Sequence, residues 1–230
     1  GYSVTVDDTV IKAALNSILL AASVAFLVMT AAAFMGLVVA YKGGTTLRRL
    51  TILSSIGYAF PGTILAIGVV TAVGALDEGL GVLLTSLFNM SYQGIFAGGI
   101  GLVIFACVIR FQAIGYGAVT TGLGRLPLHM MDASRTLGHS FGGSLRRVIL
   151  PLVRSSLLAG GLLVFVDVMK ELPMTLLLRP FNYETLATYV YQFAKDELLE
   201  EAALPALAII LVGMIPIMMM NSILNRLLSR

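Results

Sequence analysis

Three charged residues, Asp167, Lys170 and Glu171, interrupt an apolar stretch of the sequence. Asp167 precedes Lys170 by three positions and Glu171 by four, so on a helix it would share a face with both. Charges at membrane depth are costly and usually face protein or water. The cluster therefore predicts either a polar mouth or gate on a path through a membrane, or an ion pair that orients a helix end while the third charge reaches outward water.

Other chemistry is not indicated by the sequence. It lacks the G-x-x-x-x-G-K-[ST] pattern that cradles ATP phosphates, and it has no nucleophile–base pair or zinc-type helix motif of a hydrolase. The sequence has no compact cluster of Asp, Glu, Tyr and His, since His129 and His139 lie ten positions apart on separate predicted helices, and the single Cys107 cannot form an internal disulfide. We therefore predict no enzymatic activity, no catalytic residue, no cofactor and no resident metal ion. A basic face interleaved with aromatics is also missing, so no nucleic-acid partner is expected.

A polar elbow from Leu126 to Pro151 separates two apolar segments. Pro127 suits the first turn of a helix, Gly138 stands where a helix end needs positive φ, and Ser140 can cap a second short helix. The pattern predicts a helix–turn–helix at a membrane surface, with an apolar stripe available to a partner. The residues of that stripe follow at helical spacing and are Leu126, Met130, Ala133 and Leu137.

Composition indicates an integral membrane protein. Hydrophobic residues make up 58% of the 230 positions, charged residues 12%, and the mean hydropathy is +0.95; a soluble domain carries about a quarter charged residues. We predict an all-α, polytopic transmembrane helical bundle in one domain over residues 1–230. Its five spans are expected at about 10–41, 50–76, 94–110, 150–169 and 204–224.

Two features within these spans predict local geometry. Pro61-Gly62 predicts a kink or a broken helix in the second span, because proline removes one backbone hydrogen bond. Gly94, Gly98 and Gly101 predict close helix packing in the third span.

The basic residues indicate an orientation. With the loop 125–149 in the cytoplasm, most of the 15 Lys and Arg residues lie on or near that side, which is the positive-inside pattern. The N-terminus of the chain is then outside and its C-terminus is cytoplasmic. The residues so placed are Lys42, Arg48, Arg49, Arg110, Arg125, Arg135, Arg146, Arg147, Arg154, Arg226 and Arg230.

The elbow resembles the cytoplasmic "EAA" loop of ABC importer permeases. That loop has Glu-Ala-Ala, a glycine after three residues and an Ile-x-Leu-Pro ending. Here Asp132-Ala133-Ser134, Gly138 and Val148-Ile149-Leu150-Pro151 stand at the matching spacing, with Asp, Ser and Val as mild departures. The resemblance implies the core of a type I importer permease, in which this loop is a coupling helix that docks on a separate ATPase. The implied coupling residues are Met130, Asp132, Ala133, Ser134, Leu137, Gly138, Leu150 and Pro151.

Further stretches narrow the resemblance to ferric-iron ABC permeases. Residues 165–180, FVDVMKELPMTLLLRP, are similar to a segment of that group, as are Glu184–Thr188, Tyr58–Gly62 and Asn16-Ser17. The chain resembles the carboxy-terminal core half of such a permease, so its second permease half is either covalently attached or a second copy. The residues predicted to line the path or an outer gate are Tyr58, Pro61, Asp167, Lys170 and Glu171.

The resemblance implies a bacterial inner-membrane subunit that receives ferric iron from an extracytoplasmic substrate-binding protein. Rival substrates of the same class are thiamine, polyamines, sulfate and phosphonates. An ATP-independent secondary transporter is the alternative from another class. Such a protein is expected to carry ionisable residues at mid-membrane, and the predicted spans contain almost none.

Overall fold

The computed structural model describes residues 8–88, 99–127 and 129–228, and all regular structure in these residues is helical. This confirms the predicted all-α class. The α-helices of the described residues are α1 Asp8–Lys42, α2 Thr45–Ser54, α3 Gly62–Phe88, α4 Ile100–Leu123, α5 Met130–Thr136, α6 Phe141–Ser144, α7 Leu150–Met169, α8 Pro173–Leu178, α9 Leu186–Lys195 and α10 Leu199–Leu228. A 3-10 turn, Ile56–Ala59, precedes α3, and a π-helical segment, Leu145–Ile149, joins α6 to α7.

Four helical stretches within the described residues are long and apolar enough to cross a membrane. They are Asp8–Tyr41, Gly62–Leu87, Ile100–Leu123 and Phe141–Met169. The fifth predicted span, 204–224, falls within α10, whose 30 residues extend about 45 Å. Such a helix exceeds the hydrocarbon thickness of about 30 Å.

The second predicted span, 50–76, differs most from the structure. The chain forms α2 and the 3-10 turn first, breaks at Phe60 and Pro61, and begins α3 only at Gly62. Asp77 does not end that helix, because α3 continues to Phe88 with Asp77 buried inside it. The third predicted span, 94–110, starts among residues outside the described ones, and its helix continues to Leu123 because the apolar pattern persists beyond Arg110.

The core consists of α1, α4 and α7 packed at close range. α4 lies parallel to α1, since Gly115 packs on Val28 and Gly36 on Val119. α7 runs antiparallel to both, since Gly160 meets Ala118 while Ser156, earlier in α7, meets Gly122, later in α4. The predicted role of Gly101 in close packing is wrong, because a Cβ at Gly101 would have no heavy atom within 4 Å. Gly94 and Gly98 lie outside the described residues.

Replacing Gly160 by alanine is expected to destabilise the bundle by about 1–3 kcal/mol. The new Cβ would lie 2.5 Å from the Ala118 Cβ, so α4 and α7 would have to move apart. Thermal unfolding of the purified protein in detergent measures the effect. Gly101→Ala is the control, since its methyl group enters open space; equal unfolding midpoints for the two variants would contradict close packing at Gly160.

The end of the bundle farthest from the elbow is braced by polar groups of α1. Asn16 Nδ2 donates to the Glu184 carbonyl at 2.9 Å, and the Tyr183 hydroxyl donates to the Asn16 carbonyl at 3.0 Å. Burial raises the pKa of Tyr183, so its phenol keeps the proton that it donates. Arg179 closes the loop before α9 by pairing with Glu184. Two stretches that are far apart in sequence are thereby joined.

Ser17→Ala is expected to weaken this brace by about 1–3 kcal/mol, because it leaves a buried N–H without a partner. The Ser17 hydroxyl accepts from the Leu186 N–H at 2.7 Å and donates to the Ala13 carbonyl at 2.9 Å. The unfolding midpoint in detergent reports the loss. Thr30→Ala removes an exposed hydroxyl that bonds only within α1, so it should leave the midpoint nearly unchanged; a similar drop in both variants would argue against the brace.

Candidate functional site

A charged cluster lies where the chain breaks before α3. It consists of Arg110 from the middle of α4, and Asp167, Lys170 and Glu171 around the end of α7. Arg110 follows the start of α4 by about 15 Å, which is half the hydrocarbon thickness. Arg110 therefore lies about halfway along a membrane-spanning helix.

The inner pair of the cluster is Arg110 with Glu171. Arg110 Nε lies 3.7 Å from Glu171 Oε2, and the two side chains are only 20% and 7% exposed. Glu171 Oε1 also accepts from the Met174 N–H at 3.2 Å, at the start of α8. Arg110 is satisfied less well, because its buried Nε and Nη1 have no hydrogen-bond partner among the described residues.

The outer pair is Asp167 with Lys170. Their charged atoms are 2.9 Å apart, and Lys170 is 65% exposed. The hydrogen bond and the charge of Asp167 raise the pKa of Lys170, so the ammonium group stays protonated at neutral pH. Tyr58 is 50% exposed and lies within electrostatic reach of Lys170. Its ring packs against that of Phe111, with 6.5 Å between the ring centroids.

The helix break fits around the inner pair. Gly62, the first residue of α3, lies directly against the Arg110 guanidinium, and a Cβ there would be 3.0 Å from Glu171 Oε1 and would collide with Arg110 Nη1. Gly57 in the preceding turn packs equally tightly on the Ile109 carbonyl. The missing side chains at these two positions let the broken segment approach α4. All the predicted path residues, with Pro61 at the break, therefore meet in one place.

Two sequence predictions about these charges are wrong. Glu171 does not share a helical face with Asp167, because α7 ends at Met169 and the chain turns Glu171 inward. Arg110 does not lie near the elbow, because it is in the middle of α4 and the helix runs about 20 Å further, to Leu123. The expectation that the spans carry almost no ionisable residues is also wrong, because Arg110 lies within the span Ile100–Leu123. The sequence feature that indicates this position is a single arginine within a long apolar run.

The elbow has the local geometry that its residue types indicate. Gly138 has φ of +89°, and it ends α5 in a Schellman turn. In this turn the His139 N–H donates to the Ser134 carbonyl at 3.3 Å and the Gly138 N–H to the Arg135 carbonyl at 3.0 Å. Ser140 caps α6 by accepting from the Gly143 N–H at 3.2 Å. α5 begins at Met130, three residues after Pro127, so Pro127 is not in its first turn.

Most of the predicted coupling residues are accessible. Leu137 is 82% exposed, and Asp132, Ala133 and Gly138 are also exposed. Ser134 instead faces the permease itself, because it and Met131 form the buried side of α5. An open cavity of about 760 Å³ adjoins the elbow and carries two arginines. It is lined by Gly138, His139, Ser140, Gly142, Gly143, Arg146 and Arg147.

Leu150 and Pro151 lie inside a continuous helix rather than after a separate short one. The π-helical segment leads from α6 directly into α7, and the Leu150 N–H bonds to the Leu145 carbonyl, five residues back. Proline clashes with the carbonyl four residues before it in a regular helix. The wider π turn therefore accommodates Pro151, a common cause of such a bulge.

The described residues contain no group of three or more His, Cys, Asp or Glu side chains that could hold a metal ion. His129 and Asp132 lie 3.9 Å apart on the exposed side of the elbow, where an ion pair contributes little. The chemistry of the chain is thus that of charged groups inside a helical bundle and of an exposed elbow at its end.

Comparison with known proteins agrees with these features. Residues 29–230 match the family described as binding-protein-dependent transport system inner membrane component. The fold is similar to a chain of the MetNI methionine ABC transporter in inward-facing conformations, with TM-score 0.68 and 13% identity over 94% of this chain and 95% of that one. It is also similar to a chain of a bacterial ABC transporter that imports the acidic polysaccharide alginate, with TM-score 0.67 and 12% identity over 96% of this chain and 80% of that one. No curated protein sequence matches the chain.

Proposed function

Since the chain belongs to the family of binding-protein-dependent transport system inner membrane components, it is a multi-pass permease subunit of an ABC importer, and we propose that it forms half of a translocation path for ferric iron. In this proposal an extracytoplasmic binding protein delivers the ion and separate ATPase subunits supply the energy. A second permease half, covalently attached or a second copy, completes the path.

One observation carries the choice of iron. The two stretches that resemble ferric-iron permeases, 58–62 and 165–180, are distant in sequence but pack together around Arg110. Asp167, Glu171 and Tyr58 supply oxygen atoms there, which suit a hard ferric ion. The two solved structures at 12–13% identity share the fold alone. Methionine and alginate are therefore not proposed as substrates of this chain.

The charged cluster supports a path along this side of the bundle. Lys170 is largely exposed and Tyr58 half exposed, while Glu171 is buried and Arg110 is partly buried. Charged side chains at this depth do not face lipid; they face protein or a water-filled cavity. We therefore assign the surface around Pro61 to the path between the two permease halves.

The elbow is proposed as the coupling element. Leu137 offers an exposed apolar anchor next to a rigid Schellman turn, and Arg146 and Arg147 line the adjoining cavity. An ATPase surface with an apolar pocket and acidic rim would fit both features. In this orientation the N-terminus is outside and the C-terminus cytoplasmic. The exposed acidic residues Asp196 and Glu197, in the turn between α9 and α10, and Glu200 and Glu201, in the first turn of α10, then face the binding protein.

Family membership excludes the alternative of a secondary transporter, although Arg110 and Glu171 do place ionisable groups deep in the bundle.

Within the importer class the substrate is tested by uptake into proteoliposomes that hold the complete permease and its ATPase. Binding protein with labelled ferric ion is supplied outside and ATP inside. We expect iron to accumulate only when both are present. ATPase stimulation by the binding protein without iron uptake would redirect the search to thiamine, polyamines, sulfate or phosphonates, and iron flux without ATP would contradict coupling.

A further inference from the structure

The inner pair of the charged cluster has unused binding capacity. Within the described residues, Arg110 Nε and Nη1 are buried without a hydrogen-bond partner, and Glu171 holds the guanidinium by an ion pair at 3.7 Å. Buried N–H groups of this kind are nearly always satisfied in proteins. The unused donors therefore point to a ligand with acceptor atoms that is present during only part of the working cycle.

The charges of the cluster indicate what kind of ligand is missing. Its two cations and two carboxylates cancel, and each carboxylate is already engaged by a cation. If ferric iron alone took Asp167 or Glu171 as a ligand, it would release a buried arginine or a lysine beside itself. A trivalent ion next to an unpaired guanidinium in this setting is strongly unfavourable. The oxygen atoms of the cluster therefore suit ferric iron only when an anion accompanies it and takes over the pairing of the cations.

We propose that the permease passes ferric iron together with an oxyanion, a phosphate or a carboxylate, and that Arg110 binds this oxyanion. A guanidinium presents parallel N–H groups that match two oxygens of either anion. The oxyanion satisfies the unused donors of Arg110, and Glu171 becomes free to face the iron. This inference rests on the proposed import of iron, and it names the chemical form in which the iron crosses.

The helix break gives the oxyanion access to Arg110. Gly62, which has no side chain, packs against Nη1, and the chain is broken at Phe60 and Pro61 just before it. A tilt of the first turn of α3 therefore uncovers the donors without unpacking α4. The same need for an anionic partner of Arg110 argues against the cationic rivals, because polyamines have no oxygen acceptor and thiamine has no anionic group to pair with a guanidinium.

The test is dual-label uptake by the complete transporter in proteoliposomes. Radioactive iron is loaded on the binding protein with radioactive phosphate in one arm and radioactive citrate in the other. We expect one of the two anions to accumulate with iron at a constant ratio. Arg110→Lys, which keeps the charge but loses the paired N–H groups, should reduce iron uptake at least about tenfold. ATPase stimulation by the binding protein should remain.

Arg154→Lys is the matched control, because Arg154 is exposed on α7 and lies outside the cluster; it should transport normally. Iron that enters with neither anion would overturn the inference and leave iron import standing. Failure of the unaltered protein to take up iron would instead remove the proposed function, and the inference with it. Arg110→Lys protein that no longer copurifies with its ATPase would assign Arg110 to assembly and also overturn the inference.

Discussion

Glu171→Leu is expected to be the most destabilising single change in the described part of the chain, at about 3–5 kcal/mol. The substitution removes the only ion-pair partner described for the Arg110 guanidinium, which is 20% exposed and already lacks hydrogen bonds at two nitrogens. It also removes the acceptor of the Met174 N–H at the start of α8. Thermal unfolding in detergent and the yield of folded protein measure the loss.

A double-mutant cycle separates the free-energy cost of losing the ion pair from the cost of leaving Arg110 charged and unpaired. Arg110→Met in the Glu171→Leu background should recover most of the stability, because an apolar pair of similar volume replaces a buried ion pair at little cost. Asp167→Asn is the matched control: Lys170 is 65% exposed, so loss of that pair should cost no more than about 1 kcal/mol. Equal effects of Glu171→Leu and Asp167→Asn would show that the inner pair is not buried in the working protein.

The contrast between these pairs also explains which parts of the site could be predicted from sequence. Asp167 and Lys170 stand three positions apart, and helical spacing alone predicts their contact, which the structure has at 2.9 Å. Arg110 and Glu171 are separated by the second half of α4, the whole elbow and α7. Their contact depends on where α4 and α7 end and how they pack, and no local pattern encodes that. The sequence interpretation therefore found the weaker pair and misplaced Arg110.

The helices show the same division between local and tertiary information. Pro61-Gly62 predicts a break, and the chain does break there, because proline acts on its own turn. The continuation of α3 past Asp77 was not predicted, because burial of that carboxylate in the bundle overrides the usual meaning of an acidic residue at a helix end. The π-helical segment before Pro151 was also missed, because only the uninterrupted passage from α6 into α7 requires it.

The elbow was predicted best because its geometry is determined within a few residues. The cap of α6 needs only Ser140 and the N–H three positions later, and the Schellman turn needs only a residue that tolerates positive φ. What the sequence could not show is which side of α5 faces the permease. Packing against the following helix buries Met131 and Ser134, and this leaves Leu137 outward.

Gly138→Leu is expected to lower ATP-coupled uptake about five- to thirtyfold while leaving membrane insertion intact. Gly138 has φ of +89°, and a side chain in the left-handed region costs about 1–2 kcal/mol, which corresponds to that factor. The strain falls on the Schellman turn that aims α5, so the exposed Leu137 would lose its position relative to the ATPase. The measurement is uptake, with ATP hydrolysis recorded in parallel, in proteoliposomes holding the complete transporter.

Gly43→Leu separates strain in general from strain at the elbow. Gly43 also has positive φ, at +66°, and a Cβ would enter open space at either glycine, so the two substitutions impose similar local costs. Gly43 lies in the turn between α1 and α2 and outside the Schellman turn that aims α5, so its variant should keep ATP hydrolysis and uptake coupled. Gly138→Asn should restore much of the lost uptake, because asparagine tolerates the left-handed conformation better than leucine. If Gly43→Leu reduced uptake as much as Gly138→Leu, or if Gly138→Leu transported normally, α5 would not be the element that transmits ATP hydrolysis to the path.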